Sequence, residues 1–185
     1  MPDIMAAMAR REPTIGKILL SQDGIRERLA ELAAEIDAHY AGRDLVLLGV
    51  LKGAMMVMAD LARMLTNDRV EIDWITVSSY GDRTTSSGVI RMLQEPDLNL
   101  AGRDVLVVDD ITDSGQTLSW LAANLRSRAA ASVEVFSLLR KPDLVKVEVP
   151  IRYLGFDIPP DFVAGYGMDY AQRYRQLPYI AILDF

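Results

Sequence analysis

Three mainly apolar runs constrain the fold of this chain more than any other feature of its sequence. They cover residues 45–51, 105–108 and 133–139; the first two contain no polar side chain, and the third contains Glu134 and Ser137. Continuous apolar runs of this length are typical of strands that are buried on both faces, as strands of parallel sheets are. The sequence therefore predicts a sheet that is covered on both sides.

Segments with helical spacing lie between these runs and before them. The first begins near Ser21, a good N-cap residue, and continues to residue 38 with apolar side chains at helical spacing. Residues 53–65 and 117–128 have the pattern of two further helices. Strands that alternate with helices form βαβ units, so we predict an α/β fold with a mainly parallel twisted sheet flanked by helices.

The remaining segments complete this prediction. Residues 70–79 are a further strand candidate, whereas residues 80–88 are too polar to be buried and predict a mobile loop. Prolines and aromatic residues become frequent from residue 147 onward, with short strand candidates at 163–166 and 179–183. We expect this last third to form a smaller subdomain packed over the edge of the sheet.

Length and composition favour one domain in a reducing compartment. The chain has 185 residues, half of them apolar, so we expect a tail over residues 1–13 and one domain over 14–185. There is no cysteine, which suits the cytosol. The most apolar stretch, residues 45–59, contains Lys52 and is too short to span a bilayer. We therefore predict a cytoplasmic protein without a membrane partner.

The net charge limits the partners of the chain. A formal charge of −6 argues against non-specific binding to nucleic acid, because contacts with a phosphate backbone rely on clustered Lys and Arg. An acidic protein can still bind small anionic molecules when metal ions and backbone amides neutralise them. We therefore expect small-molecule substrates.

The most informative segment is residues 105–118, with the sequence VLVVDDITDSGQTL. An apolar strand leads into Asp109 and Asp110, which we expect to leave the strand on opposite sides, and a third carboxylate follows at Asp113. In open parallel sheets, ligands bind beyond the carboxyl ends of the strands. The residues of the following turn are suited to binding a phosphate at the positive end of a helix. They are Ser114, Gly115, Gln116 and Thr117.

Simpler interpretations of the same segment exist. Two carboxylates after a strand can merely cap the next helix, and for an arbitrary sequence we give that alternative about half the weight. An EF-hand loop is excluded because the ligand positions and the closing Glu are absent. A Walker loop is excluded because no Lys precedes the Ser or Thr.

The stretch DDITDSGQT resembles the signature with which type I phosphoribosyltransferases bind phosphoribosyl pyrophosphate (PRPP). The resemblance implies the fold of that family, with a small hood subdomain and a flexible active-site loop. It also implies that Asp109 and Asp110 hold the ribose, although many relatives have Glu at the first of these positions. The residues implied in binding the ribose and its phosphate are Asp109, Asp110, Thr112, Asp113, Ser114, Gly115, Gln116 and Thr117.

Other segments resemble the hypoxanthine/guanine branch of that family. Leu51, Lys52 and Gly53 match its pyrophosphate-binding loop, in which the Leu-Lys peptide bond is often cis. Ser79 and Tyr80 resemble the start of the flexible loop that closes over the substrates. Each of these short matches, taken alone, is more simply read as an ordinary turn or loop start.

The match is strongest towards the end of the chain. Lys141 resembles the Lys that donates to the 6-oxo group of the purine, a role that suits an ammonium because it has donors and no acceptor. In residues 159–179, the resemblance implies that Phe162 stacks on the purine and the Val163 backbone reads its edge. Asp169 is implied as a magnesium ligand, and Arg175 is implied in contacting pyrophosphate.

The resemblance implies purine salvage, in which Mg²⁺-dependent transfer of the phosphoribosyl group from PRPP to hypoxanthine, and to guanine, gives IMP or GMP and pyrophosphate. Asp113 is the implied catalytic residue, which takes or shares the N7 proton of the purine. Mg²⁺ is the implied cofactor, with Asp169, Asp109 and Asp110 as candidate ligands. A homodimer or homotetramer is expected from the family.

Two other functions stay open at this point. One is a xanthine-preferring phosphoribosyltransferase, which competition among purines would distinguish. The other is an RNA-binding regulator with the same fold, which should carry a basic face; the sequence has no Lys/Arg cluster to supply one.

Overall fold

The computed structural model describes residues 12–82 and 85–185, with the side chains of residues 79–89 outside that description. Within these residues the chain forms two sheets and three α-helices. The helices are α1 (Gln22–His39), α2 (Met55–Met64) and α3 (Gln116–Ser127). The strands are β1 (Thr14–Leu20), β2 (Leu45–Leu51), β3 (Val70–Asp82), β4 (Thr85–Gln94), β5 (Asp104–Thr112), β6 (Ser132–Arg140), β7 (Tyr153–Asp157), β8 (Val163–Ala164) and β9 (Ile180–Asp184).

The larger sheet has the strand order β4-β3-β2-β5-β6-β7. Five of its strands are parallel, and only the edge strand β4 pairs antiparallel with its neighbour β3. The predicted mainly parallel sheet is thus confirmed. After β2 the chain adds β3 and β4 on one side and then crosses to β5 on the other. The crevice at such a reversal, beyond the carboxyl ends of β2 and β5, is where open α/β sheets bind ligands.

Helices cover both faces of this sheet, which explains the apolar runs of its central strands. α1 and α2 pack on one face through Leu29, Leu32 and Leu61, which join Leu106 and Val108 of β5 in one buried cluster. α3 packs on the other face, where its own apolar side chains join the alternate residues of the same strands. α1 begins where the sequence predicted, since the Ser21 hydroxyl accepts a hydrogen bond from Gly24 N at 3.1 Å.

The smaller sheet combines both ends of the described chain. Its order is β1-β9-β8, and its strands pair antiparallel. Val163, Met168 and Ile180 extend the cluster formed by α1 and α2, so this sheet packs on the same side of the molecule. The sequence predicted β8 and β9 but did not predict β1, nor the edge strands β4 and β7.

Two predicted boundaries are wrong. β5 continues through Asp109 and Asp110 to Thr112, because this part of the strand still pairs with β6; the carboxylates therefore lie in the strand and not in a loop. The predicted loop over 80–88 is largely a hairpin, with Tyr80 opposite Val89 and Asp82 opposite Thr85. Its backbone groups pair across the hairpin without any need for apolar side chains. Residues 83–84 lie outside the described residues, as does the predicted tail up to residue 11.

No helix in the described parts of the chain is both long and apolar enough to cross a bilayer.

Candidate active site

The loop after β2 meets the acidic end of β5. The two strands are paired in parallel, with Gly49 opposite Val108, so the segments that follow them lie side by side. The Leu51-Lys52 peptide bond that opens this loop is cis. A Cβ atom at Gly53 would collide with the carboxylate of Asp110. Only glycine allows the loop backbone to approach the carboxylate this closely.

A turn near the end of the chain covers the other side of this loop. A Cβ atom at Gly167 would collide with the carbonyl oxygen of Gly53, and the backbone there has a φ of 101°. The same turn carries Asp169 and Arg175, whose carboxylate and guanidinium form an ion pair at 2.6 Å. Lys52 also reaches this turn, since its Nζ lies 3.5 Å from Gln172 Oε1. Three segments that are far apart in sequence therefore converge here.

Arg175 combines tight anchoring with an unused donor. One of its terminal nitrogens donates to the carbonyl oxygen of Gly167 at 2.6 Å, and the other contacts Asp169. Its Nε is buried and has no hydrogen-bond partner among the described residues. A buried N–H without a partner is costly, so this group is suited to receiving an oxygen of an anionic ligand.

A pocket of about 160 Å³ opens between the end of β5 and the start of the small sheet. Phe162 is 39% exposed at its mouth, whereas Val163 is buried. This pocket brings together most of the residues that the sequence analysis connected with the purine base and the metal. The lining residues are Asp110, Ile111, Asp113, Lys141, Phe162, Val163, Met168 and Asp169.

The ring of Phe162 belongs to a cluster of three aromatic side chains. Its centroid lies 5.8 Å from that of Tyr170 and 5.8 Å from that of Phe185, and both contacts are edge-on. The backbone is also held, because Leu183 N donates to Phe162 O at 2.9 Å. Edge contacts leave a face of the Phe162 ring available for stacking on a planar ligand.

Lys141 and Asp113 form an ion pair in this pocket. Lys141 Nζ lies 3.0 Å from Asp113 Oδ1; the Lys side chain is 8% exposed and the Asp side chain 54% exposed. The pair is placed by the sheet, because Lys141 N donates to Thr112 O at 3.0 Å and so joins the ends of β5 and β6. A donor and an acceptor therefore lie next to each other at the wall of the pocket.

The neighbouring carboxylates Asp109 and Asp110 repel each other's charge. Burial raises the pKa of Asp109 well above its ordinary value, and the negative charge of Asp110 raises it further. Burial also raises the pKa of Asp110, although the hydrogen bond from Asp109 and the charge of Arg175 lower it. A bound cation, or hydroxyl groups that donate to these oxygens, would favour the ionised forms.

The turn from Ser114 to Thr117 opens α3 as predicted. Gly115 is the N-cap residue, with a φ of 76°, and it has no side chain that could cap the helix. Ser114 Oγ accepts from Gln116 N at 3.4 Å, a long hydrogen bond. The positive end of the α3 dipole makes this turn suited to an anion. Ser114 O accepts from Lys146 N and Val147 N, both at 3.0 Å, which fixes the turn from outside.

The structure places the side chain of one residue named from the sequence outside the acidic pocket. Thr112 is 4% exposed and its hydroxyl bonds to Ser137 at 2.8 Å, so the side chain lies inside the sheet and not in the acidic pocket. The backbone of Ser79 and Tyr80 lies in β3, and their side chains are outside the described residues.

Sequence reasoning missed the contacts that hold the C-terminal turn. Tyr166 donates to the carboxylate of Asp60 on α2, and Tyr174 donates to Pro13 O at 3.1 Å. Both pairs are more than 100 positions apart in the chain. No local pattern signals them, although the glycines on either side of Tyr166 mark a tight turn.

A family model for the phosphoribosyl transferase domain matches residues 17–171, which include every segment that forms the pocket except the end of the chain. The fold and the site are therefore those of a phosphoribosyl transferase domain.

Individual relatives narrow the class. The hypoxanthine-guanine phosphoribosyltransferase of Mycobacterium tuberculosis is 50% identical over 176 residues, which cover 92% of this chain and 87% of the relative. That of Bacillus subtilis is 43% identical, with 91% and 93% of the two chains covered. A crystal structure of a hypoxanthine phosphoribosyltransferase from Staphylococcus aureus superposes with a TM-score of 0.88 at 35% identity, covering 100% of this chain and 96% of that one. The chain therefore belongs to the hypoxanthine-guanine phosphoribosyltransferase family of transferases.

Proposed function

We propose that this chain salvages purines by the Mg²⁺-dependent transfer of the 5-phosphoribosyl group from PRPP to hypoxanthine and guanine, with IMP or GMP and pyrophosphate as products. The single observation that carries the proposal is the pocket in which Asp110, Asp113, Lys141, Phe162 and Asp169 meet. The relatives named above support the choice of substrates.

The purine end of the pocket suits a 6-oxopurine. Phe162 offers a face for stacking, which contributes roughly 1 to 3 kcal/mol per base where it has been measured in nucleic-acid complexes. Lys141 carries donors and no acceptor, so it favours the 6-oxo group over the 6-amino group of adenine. The backbone of Val163 reads the edge of the base in this proposal.

The sugar end is assigned to the end of β5 and the start of α3. Asp109 and Asp110 accept from the ribose hydroxyls, and their negative charge favours the electron-poor sugar that forms as the leaving group departs. The 5-phosphate binds the N–H groups of the turn, where the dipole of α3 favours an anion. The residues assigned to this role are Ser114, Gly115, Gln116 and Thr117; the structure gives Thr112 no part in it beyond its backbone.

The pyrophosphate group is assigned to the loop after β2 and to Arg175. The amides of Leu51, Lys52 and Gly53 and the ammonium of Lys52 face the departing diphosphate, and the buried Nε of Arg175 supplies a further donor. Ser79 and Tyr80 belong to this proposal as part of the segment that closes over the substrates and excludes water.

The donor set is compatible with magnesium. Mg²⁺ prefers carboxylate oxygens, keeps several waters and is bound by one or two carboxylates together with substrate phosphates. Asp110 and Asp169 line the same pocket, and no larger cluster of possible ligands occurs within residues 12–82 and 85–185. Asp169 would hold the metal, with Asp109 and Asp110 nearby, and the bound ion would stabilise negative charge on the leaving pyrophosphate.

In the reaction, the purine N9 forms a bond to C1′ of the ribose while the bond from C1′ to the pyrophosphate oxygen breaks. Asp113 accepts the proton that leaves N7 of the purine. Lys141 holds Asp113 in place through their ion pair before the base binds and donates to the base afterwards. Closure of the pocket keeps water from taking the place of the purine.

The purified protein tests this proposal directly. With Mg²⁺ and PRPP present, each of hypoxanthine, guanine, xanthine and adenine is supplied in turn and nucleotide formation is followed. We expect turnover with hypoxanthine and guanine and very little with adenine. A dominant rate with xanthine would replace the substrate assignment, and no nucleotide from any purine would refute the proposal. A cytoplasmic location and one domain over residues 14–185 are further parts of it that rest on length and composition. A homodimer or homotetramer is another part, carried by the family resemblance.

A further inference from the structure

The turn that carries Asp169 and Arg175 has an unusual backbone. Five non-glycine residues of the described chain have positive φ, and four of them lie in this turn, between residues 166 and 174. L-amino acids adopt such conformations only where the surrounding structure enforces them. The four residues are Tyr166, Ala171, Gln172 and Tyr174. One contact lies within the turn, where Gln172 N donates to Asp169 Oδ2 at 2.7 Å, and others come from distant parts of the chain.

The contact from the sheet side is made by Tyr166. Its side chain is 6% exposed, and its hydroxyl donates to the carboxylate of Asp60 in the middle of α2. Burial and this hydrogen bond both raise the pKa of the Tyr166 phenol, so the hydroxyl keeps its proton at any physiological pH. Asp60 also forms an ion pair with Arg63 one turn further along the helix.

The hydrogen bond between Tyr166 and Asp60 connects two segments of the site, because α2 directly follows the loop after β2. α2 begins at Met55, two residues after Gly53, so its position and that of the loop are linked. Tyr166 directly precedes Gly167, whose backbone touches the carbonyl oxygen of Gly53. The hydrogen bond to Asp60 therefore joins the two segments that we assign to the pyrophosphate group.

We propose that Asp60 is a positioning residue of the pyrophosphate site, which acts through the Tyr166 hydroxyl to hold the turn of Asp169 and Arg175 against the loop of Lys52 and Gly53. This inference rests on the proposed function, because it assigns a consequence to PRPP binding. Neither Asp60 nor Tyr166 lines the purine pocket. A loss of the hydrogen bond should therefore be felt by PRPP and pyrophosphate and not by the purine.

Two substitutions remove the hydrogen bond from either side. Tyr166→Phe deletes only the hydroxyl, and Asp60→Ala deletes the acceptor. Asp60→Asn keeps an acceptor oxygen and serves as the rescue variant. Arg63→Ala is the matched control, since it removes the other partner of Asp60 and leaves the hydrogen bond in place. For each protein, KM for PRPP, KM for hypoxanthine, kcat and Tm are measured, with KM for pyrophosphate in the reverse reaction.

We expect Tyr166→Phe and Asp60→Ala to raise KM for PRPP and for pyrophosphate about tenfold, because small displacements of binding groups are costly. KM for hypoxanthine should stay within about twofold of the wild-type value. The double variant that combines Tyr166→Phe with Asp60→Ala should have the same KM for PRPP as Asp60→Ala alone. Asp60→Asn and Arg63→Ala should retain the wild-type KM for PRPP.

A merely structural role would lower Tm and leave both KM values unchanged, and that result would overturn the inference. Equal rises in both KM values, or a failure of Asp60→Asn to preserve KM for PRPP, would also overturn it. If Tyr166→Phe does not fold, the comparison of Asp60→Ala with Asp60→Asn decides the question. A wild-type protein that does not use PRPP at all would refute the proposed function, which is a separate outcome.

Discussion

The two halves of the site are built in different ways. The sugar and phosphate half consists of regular elements, with Asp109 and Asp110 on β5 and the phosphate turn at the start of α3. The pyrophosphate half is an irregular turn with several residues of positive φ, held by contacts from α2 and from the segment before β1. Regular elements are positioned by the core, whereas the turn depends on a few individual contacts. Substitutions should therefore act differently in the two halves.

The largest effect is expected where the two halves touch. Gly53→Ala would place a Cβ atom against the carboxylate of Asp110, and the contact of Gly53 with Gly167 leaves the loop little room to move away. We expect kcat/KM for PRPP to fall by at least about 100-fold, since both halves would be displaced. Steady-state kinetics with PRPP as the varied substrate measures this effect.

Gly42→Ala is the control for the glycine substitution. Gly42 has a φ of 70°, and a Cβ atom there would meet no other atom within 4 Å. The variant should lose some stability through backbone strain and keep its activity. Normal kinetics for Gly53→Ala would contradict the close approach that we describe between the loop and Asp110.

The next largest effect should come from Asp113, which lies where the regular half meets the purine. Asp113→Asn keeps the size of the side chain but removes the base, so we expect kcat to fall by about 100-fold or more with KM for PRPP nearly unchanged. Asp143→Asn is the control, because Asp143 is exposed and lies on the short 3-10 helix Pro142–Leu144. An unchanged kcat for Asp113→Asn would remove Asp113 from the proposed catalytic role.

Phe162→Ala should have a smaller effect that is confined to the base. Loss of stacking should raise KM for hypoxanthine about tenfold and leave KM for PRPP within about twofold, following the roughly 1 to 3 kcal/mol measured for base stacking elsewhere. Leu93→Ala, which changes an exposed apolar side chain of β4, is the control. A rise in KM for PRPP alone would mean that Phe162 does not stack on the purine.

The same contrast explains what the sequence could predict. The apolar runs of β2, β5 and β6 and the cap of α1 are local signals, and they predicted the parallel sheet and the start of α1. β5 ends later than expected because pairing with β6 is not a local property. The strand β4 escaped prediction because its first residues are polar and its pairing with β3 is not a local property.

In the irregular half, the resemblance named Asp169 and Arg175, but nothing in the residues themselves revealed their surroundings. The partners Asp60 and Pro13 come from distant parts of the chain, and such contacts depend on the finished fold. Lys141 and Asp113 were assigned separate roles on the purine, whereas the structure joins them in one ion pair. Local patterns predict which residues carry chemistry more readily than they predict which of them touch.

The smallest expected effect concerns the stability of the ligand-free protein. It arises only in the sugar and phosphate half, from the carboxylate of Asp109. Burial and the charge of Asp110 raise the pKa of Asp109 well above the ordinary value of 3.8, so the folded protein retains a proton that the unfolded chain releases. Stability must then fall as pH rises from about 4 through the raised pKa, and stay constant above it. Asp109→Asn removes this loss, so we expect its Tm to exceed that of the wild type at neutral pH by on the order of 2 °C. The difference should shrink towards pH 4, because the unfolded chain then also begins to retain the proton. Thermal unfolding of the two ligand-free proteins between pH 4 and pH 9 measures this difference in Tm.

Asp37→Asn is the control. It alters a carboxylate far from the pocket that accepts from the backbone N–H groups of Thr66 and Asn67, so it should lower Tm instead. A wild-type Tm above that of Asp109→Asn throughout this range would contradict the prediction. It would show that ionising the Asp109 and Asp110 pair does not lower the free energy of unfolding.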